Sequence, residues 1–230
     1  KDRPFYLNYW AFSVHGPWQA KEELVRRCNA KVDPDAPQRS PIYAAMVQSL
    51  DEAVGRLLDT LDELGLTENT IVVFFSDNGG VHWLDERMKK RDGLEAPPTS
   101  SAPLRGGKAT IYEGGTRVPC AVIWPGHTRS DTTTDALLAS VDFYPTIIEM
   151  LGLERAEDQK FDGVSQVRSI LGQSPVRNTA YCFFPHYIPA NGNLPGAWVR
   201  QGRYKLIRFF CDNPDQTYRF ELYDLEKDIG

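Results

Sequence analysis

Residues 70–80, TIVVFFSDNGG, decide how this chain is read. An apolar run suited to a buried strand, Thr70 to Ser76, stops at two oxygen donors, Asp77 and Asn78, and then at Gly79 and Gly80. In an open α/β sheet, ligands collect beyond the carboxyl ends of the strands. Adjacent Asp and Asn side chains suit a hard cation such as Ca²⁺ or Mg²⁺. Asn-Gly is also the strongest short signal for a β-hairpin. A hairpin, however, needs a second alternating strand directly after the turn. The residues that follow, VHWLDERMKKRD (Val81 to Asp92), are charged and have no period of two. On these residues alone both readings stand.

Upstream, Ser40-Pro41 supplies an N-cap and a proline at the first helical position. Met46, Val47, Leu50, Val54, Leu57, Leu58, Leu61 and Leu64 then recur at steps of three and four, which predicts a long amphipathic helix. Gly65 is placed to end it, with Leu66 making the accompanying apolar contact. Asp2 to Tyr9 reads as a strand. With the helix and Thr70–Ser76 it forms a strand–helix–strand unit of the parallel-sheet kind. A strand with no element before it predicts a domain that starts upstream of Lys1.

Downstream, Glu95 to Thr116 is rich in Pro and Gly with little periodicity and reads as a long surface loop. Cys120 to Trp124 is a further buried strand, with Cys120 in the core. Asp142 caps a short helix through Leu151 that tolerates Pro145 in its first turn and ends at Gly152. Beyond residue 176 the pattern changes to short strands over Thr179–Phe184, Ala197–Arg200, Tyr204–Arg208 and Arg219–Tyr223, with a turn at Gln201-Gly202. The expected organisation is α/β: a mixed sheet flanked by helices over residues 1–175, then a small antiparallel α+β subdomain over 176–230.

With 230 residues the chain is long enough for a substantial core. A formal net charge of -5 and the lack of Lys/Arg runs argue against nucleic acid or an anionic membrane as partner. No apolar run reaches the roughly twenty residues of a membrane-spanning helix, and no signal-peptide pattern opens the chain. The four cysteines, Cys28, Cys120, Cys182 and Cys211, form no CxxC pair, which disfavours a zinc site. Cys182 and Cys211 lie in one segment, but spacing does not establish the geometry of a disulfide.

Three further segments carry chemistry: Val14-His15-Gly16-Pro17, Pro103-Leu104-Arg105-Gly106-Gly107-Lys108, and Glu113-Gly114-Gly115-Thr116-Arg117-Val118-Pro119. None is specific alone. A histidine in a Gly-Pro turn can be a structural hydrogen-bonder, and Lys108 can be a solvated lysine in a flexible loop. Gly107-Lys108 is not a phosphate-binding P-loop, because Ala102 and Ala109 stand where Gly and Ser/Thr are required. In order, however, FYLNYWAFSVHGPWQA, FFSDNGG, PLRGGKATIYEGGTRVP, SVDFYPTIIEMLG, FDGVS, RQGRYKLI and ELYDLEKDIG resemble the C-terminal part of a sulfatase of the arylsulfatase type, in the alkaline-phosphatase-like superfamily.

The resemblance implies that Asp77 and Asn78 ligate Ca²⁺ (or Mg²⁺), that Lys108 binds a sulfate oxygen, and that His15 faces the leaving-group oxygen. It implies a sulfated small molecule or glycan as substrate and a periplasmic, extracellular or lysosome-like location. Its nucleophile, a formylglycine made from Cys or Ser in C/S-x-P-x-R, is expected upstream of this chain together with further metal ligands. Ser101-Ala-Pro-Leu-Arg105 matches that pattern literally but follows the Asp-Asn pair instead of preceding it, and reads as coincidence. This chain alone is therefore expected to be inactive. His186, in a loop of the C-terminal subdomain, and His82, five residues past Asp77, are further candidates for substrate contact. His127 reads as a turn residue. Trp18, Trp83 and Trp198 are either sugar-stacking platforms or packing residues. Two rival functions remain: a phosphoryl or phosphonate ester hydrolase on the same metal platform, and a noncatalytic binding fragment.

Overall fold

A computed structural model describes residues 3–230. The chain divides into two compact units, one formed by residues up to 67 with 80–102, the other by 68–79 with 103–230.

In the first unit α1 (Glu22–Asn29) packs on α2 (Pro41–Glu63), and α3 (Glu86–Asp92) follows. Both ends of α2 form as its sequence dictates. The Ser40 hydroxyl accepts the Tyr43 amide at the N-cap with Pro41 behind it. At the other end Leu66 N–H reaches Leu61 O (2.8 Å), Gly65 N–H reaches Asp62 O (2.8 Å), and Gly65 takes φ 63°. That is a complete Schellman stop. We expect Ser40→Ala to cost about 1 kcal/mol in urea unfolding, because one helix-end amide loses its acceptor. The core gathers Trp18, Met46, Met88 and Leu94. The apolar row along α2 is not covered throughout: Val47, Leu58 and Leu64 stay exposed.

The strand expected over Asp2 to Tyr9 does not form among the described residues, and Asp2 itself lies outside them. Its described residues join no strand, with Tyr6 80% and Leu7 59% exposed. Strand propensity yields a strand only where a neighbour supplies the ladder.

In the second unit β1 (Val72–Phe75) pairs antiparallel with β2 (Cys120–Ile123), Val72 opposite Ile123 and Phe75 opposite Cys120. The parallel partner expected for β1 is therefore replaced by an antiparallel one, and Cys120 is exposed instead of buried. Between them lies the single turn α4 (Glu113–Thr116), and after them α5 (Phe143–Met150) and α6 (Val167–Ile170). The second sheet, β3 (Thr179–Phe184), β4 (Gly196–Gln201), β5 (Tyr204–Phe209) and β6 (Arg219–Asp224), is an antiparallel meander close to the expected boundaries. One of its faces carries Ile207 and Phe209, which form a core with Ile111. The α/β class and the antiparallel C-terminal portion stand as expected, whereas among the described residues both sheets are antiparallel and no mixed sheet forms.

Asp142 does something other than cap α5. It makes no side-chain cap bond; its carboxylate, 1% exposed, accepts the Ala139 and Val164 amides (2.9 Å each) and, in a two-point contact, Nε and Nη2 of Arg177. Burial alone would raise this carboxyl, but the Arg177 bonds and the two amides hold it below the usual carboxylate range. Cys182 and Cys211 are both free thiols. Cys182 is level with Trp198 and, two strands away, Ile207. Cys211 lies beyond the end of β5, so two strand spacings of about 4.8 Å each already exceed the reach of a disulfide.

Candidate active site

Asp77 and Asn78 stand where the sequence placed them, immediately past the carboxyl end of β1, after Ser76 extends the pairing to Pro119 O (3.2 Å). No adjacent hairpin strand follows; the next element is α3, capped by Asp85 on the Met88 amide (2.8 Å). The turn is held locally. Asp77 Oδ1 accepts the Asn78 amide (3.0 Å), and Asn78 Nδ2 donates to Gly79 O (2.9 Å). That bond fixes the Asn78 side chain so that its oxygen is the end left to meet a ligand. No Lys, Arg or His among the described residues forms an ion pair with the Asp77 carboxylate, which is exposed. One carboxylate and one amide oxygen are hard donors and fit Ca²⁺ or Mg²⁺ in type. They are two of the six to eight oxygens Ca²⁺ takes, and among the described residues no group of three His, Cys, Asp or Glu side chains is placed to complete a site.

Lys108 sits in a loop of the same unit, half-buried, with its carbonyl accepting from Asn191 Nδ2 (2.9 Å). Thr110 Oγ1 donates to Gly107 O (2.8 Å) and closes the loop, and Ala109 is held at φ 59°, a left-handed conformation that is uncommon outside glycine. Such strain beside a candidate binding group is typical of functional loops.

The turn α4 joins the two. On one side Gly79 N–H donates to Gly115 O (3.1 Å), and a Cβ on Gly79 would fall 1.8 Å from Gly114 O. On the other, Gly114 N–H donates to Arg105 O (2.8 Å); a Cβ on Gly114 would lie 2.4 Å from Gly106 O, and one on Gly115 2.2 Å from Thr110 O. Main chain is packed on main chain, which only glycine allows. The stretch read as a surface loop is thus partly interior, with Gly107, Thr110, Ile111 and Glu113–Gly115 buried. Backbone packing leaves no side-chain period to detect.

Behind α4 lies a buried charge cluster. Lys205, 1% exposed, donates to Glu113 Oε1 (2.8 Å) and Thr116 Oγ1 (3.2 Å), and its ammonium lies over the Trp198 ring at 4.6 Å. Glu113 Oε2 has no hydrogen-bond partner; the Arg200 guanidinium is 3.7 Å away. Burial pushes the Lys205 ammonium down, and the Glu113 carboxylate works against that shift. Glu113 opens one of the segments named above and Lys205 lies in another stretch quoted there, but the sequence assigns neither a role. The signal was present, since Lys205 occupies the same phase of β5 as the core residues Ile207 and Phe209. Asn191, in an Asn-Gly-Asn turn, carried no signal beyond the turn itself.

His186 is exposed on the loop that carries Asn191; its carbonyl accepts from Asn193 Nδ2 (3.2 Å) and its ring meets Phe184 edge-on at 5.0 Å. His15 and His82 belong to the first unit. His15 is exposed, with its amide on Phe12 O (3.0 Å) and Nδ1 2.8 Å from Gly16 O. A carbonyl at that distance calls for the proton on Nδ1, which leaves Nε2 as the ring nitrogen open to a ligand. His82 is half-buried with Nδ1 unpartnered, and burial lowers its pKa, which favours the neutral ring. His127 is a turn residue, as expected, stacked on Trp124 at 3.9 Å. Of the two readings left open for the tryptophans, packing describes all three: Trp18 is in the first core, Trp83 packs against it, and Trp198 underlies Lys205.

Comparison with known proteins gives this site a context. A family model described as Sulfatase matches residues 1–153, and a second, described as N-sulphoglucosamine sulphohydrolase, C-terminal, matches residues 107–230. A curated protein of Formosa agariphila named Sulfatase is 33% identical over 245 residues, covering all of this chain but 41% of that protein. Among solved structures, Ps i-CgsB in complex with k-i-k-neocarrahexaose superposes with TM-score 0.74 at 26% identity, over 95% of this chain and 43% of that one. A protein in complex with its substrate D-glucosamine-2-N,6-O-disulfate superposes with TM-score 0.63 at 26% identity, over 82% of this chain and 34% of that one. The chain therefore spans less than half the length of each of these relatives.

Proposed function

This chain belongs to the sulfatase family, and from that premise we propose that it supplies one part of the active site of an enzyme that hydrolyses sulfate monoesters of carbohydrates. The observation that carries the reading is the shared mounting of Asp77, Asn78 and Lys108 on α4. It ties the backbone that carries two hard oxygen donors to the backbone around a lysine, as an anionic sulfate bound beside a cation requires. The substrate class follows from a structural neighbour whose substrate is a sulfated glucosamine.

In this reading Asp77 and Asn78 hold Ca²⁺ or Mg²⁺, which supplies neutralisation of the nonbridging sulfate oxygens. Lys108 binds one of those oxygens and stabilises the charge that builds there, the kind of contribution that usually dominates catalysis. His15 protonates the departing ester oxygen from Nε2. His186 and His82 contact the remainder of the substrate. The formylglycine lies outside this chain, and so do the remaining metal ligands. The catalytic portion occupies residues 1–175 and the C-terminal subdomain 176–230, with the protein working in a periplasmic, extracellular or lysosomal compartment. Among the described residues no helix is long and apolar enough to cross a membrane.

The test is turnover of sulfate and phosphonate monoesters by the full-length protein, where the sulfate ester is expected to be much the better substrate. A preference for the phosphonate would overturn the assignment. Calcium chloride should raise the melting temperature of the full-length protein, and Asp77→Ala should remove most of that rise by weakening binding at least 10-fold, the usual order for loss of a contact in a metal site.

A further inference from the structure

The proposed chemistry makes no use of the charge buried behind α4. We propose that Glu113 and Lys205 are positioning residues for that chemistry: their ion pair fixes the α4 turn and so sets the distance between the Asp77–Asn78 oxygens and the Lys108 ammonium. The inference rests on the reading above, in which those groups hold a cation and a sulfate oxygen.

Geometry singles this pair out. Lys205 engages both ends of the turn, Glu113 at its first residue and Thr116 at its last. The two residues between are Gly114 and Gly115, whose backbones touch the chain after Asp77-Asn78 and the chain around Lys108. A rotation of α4 therefore moves both groups at once. Lys205 comes from β5, which is paired along its length to β4 and β6 and gives the ammonium a rigid base. Two further bonds tie the same segment to the sheet, Arg105 Nη1 to Tyr223 Oη (2.8 Å) and Tyr112 Oη to Glu221 Oε2 (3.1 Å). They flank the turn without entering it. A buried ion pair is a poor route to stability, since desolvation cancels much of its attraction, and an apolar pair would pack the space as well. What the charged pair adds is direction. Ion pairing of this kind resembles the outer contacts that orient metal ligands elsewhere, whose loss costs about 10- to 100-fold in affinity or rate.

The experiment uses the full-length protein with calcium chloride as the only ligand in calorimetry, kcat and KM for nitrophenyl sulfate, and thermal melting. Glu113→Gln, which keeps the shape of the side chain, and Lys205→Met should each weaken calcium binding and lower kcat by about 10- to 100-fold. The double variant should be no worse than the poorer single one, and Lys205→Arg should recover most of the loss. Glu113→Gln carries the test should Lys205→Met fail to fold. Both variants melting lower while calcium affinity and kcat stay at wild-type values, with Asp77→Ala still defective, would overturn the positioning role alone. Asp77→Ala binding calcium normally would overturn the underlying reading and this inference with it.

Discussion

Arg177→Met is expected to lower the unfolding free energy at neutral pH by about 3–5 kcal/mol, the usual cost of leaving a buried charge without its partner. Asp142 is the charge in question. It keeps its amide donors but loses both guanidinium contacts while remaining out of water. The pH dependence identifies the cause. In the wild type the carboxyl is held below its ordinary value, so its contribution is present above the ordinary carboxylate range and is lost as pH falls through the lower folded value. Wild type and variant should therefore converge in acid, where Asp142 is protonated in both. Urea unfolding measured from pH 7 down through the carboxylate range checks this. A gap below about 1 kcal/mol at neutral pH, or one that does not narrow in acid, would mean that Arg177 stabilises by packing and not by charge.

Hydrolysis of a poorly activated sugar sulfate should slow by about 10² to 10⁴ in His15→Ala of the full-length protein, whereas hydrolysis of nitrophenyl sulfate should be nearly unchanged. A good leaving group needs little protonation as the S–O bond breaks, so removal of the Nε2 proton matters only where the departing oxygen is basic. Lys108→Ala should instead slow both substrates alike, by about 10² to 10³, because both present the same sulfate oxygens. Ratios of kcat/KM for the two substrates across the two variants make the comparison. Equal losses in His15→Ala would assign His15 to sulfate binding.

Local signals in the sequence were reliable wherever structure is made locally. The Ser40 cap, the Gly65 stop and the four C-terminal strands were legible because each depends on residues close together in the chain. The donor pair past β1 was legible for the same reason. Pairing of β1 was not, because a four-residue apolar run specifies a strand without specifying its neighbour. Asp142 shows a second limit: its position before a helix predicted a cap, but a guanidinium 35 residues away claimed the carboxylate. The interior course of residues 106–116 lay beyond any pattern search, since it is glycine backbone that packs there.

That backbone junction makes the site unequal in its tolerance of mutation. Contact between Gly79, Gly114 and Gly115 and the neighbouring carbonyls is set by van der Waals radii and bond lengths, with no rotamer to adjust. The aliphatic residues around it can exchange size and shape with each other at modest penalty. A single methyl group at any of these three glycines has no room to enter. Random mutagenesis should accordingly reveal broad plasticity in the surrounding core, punctuated by three positions where even alanine is not accepted.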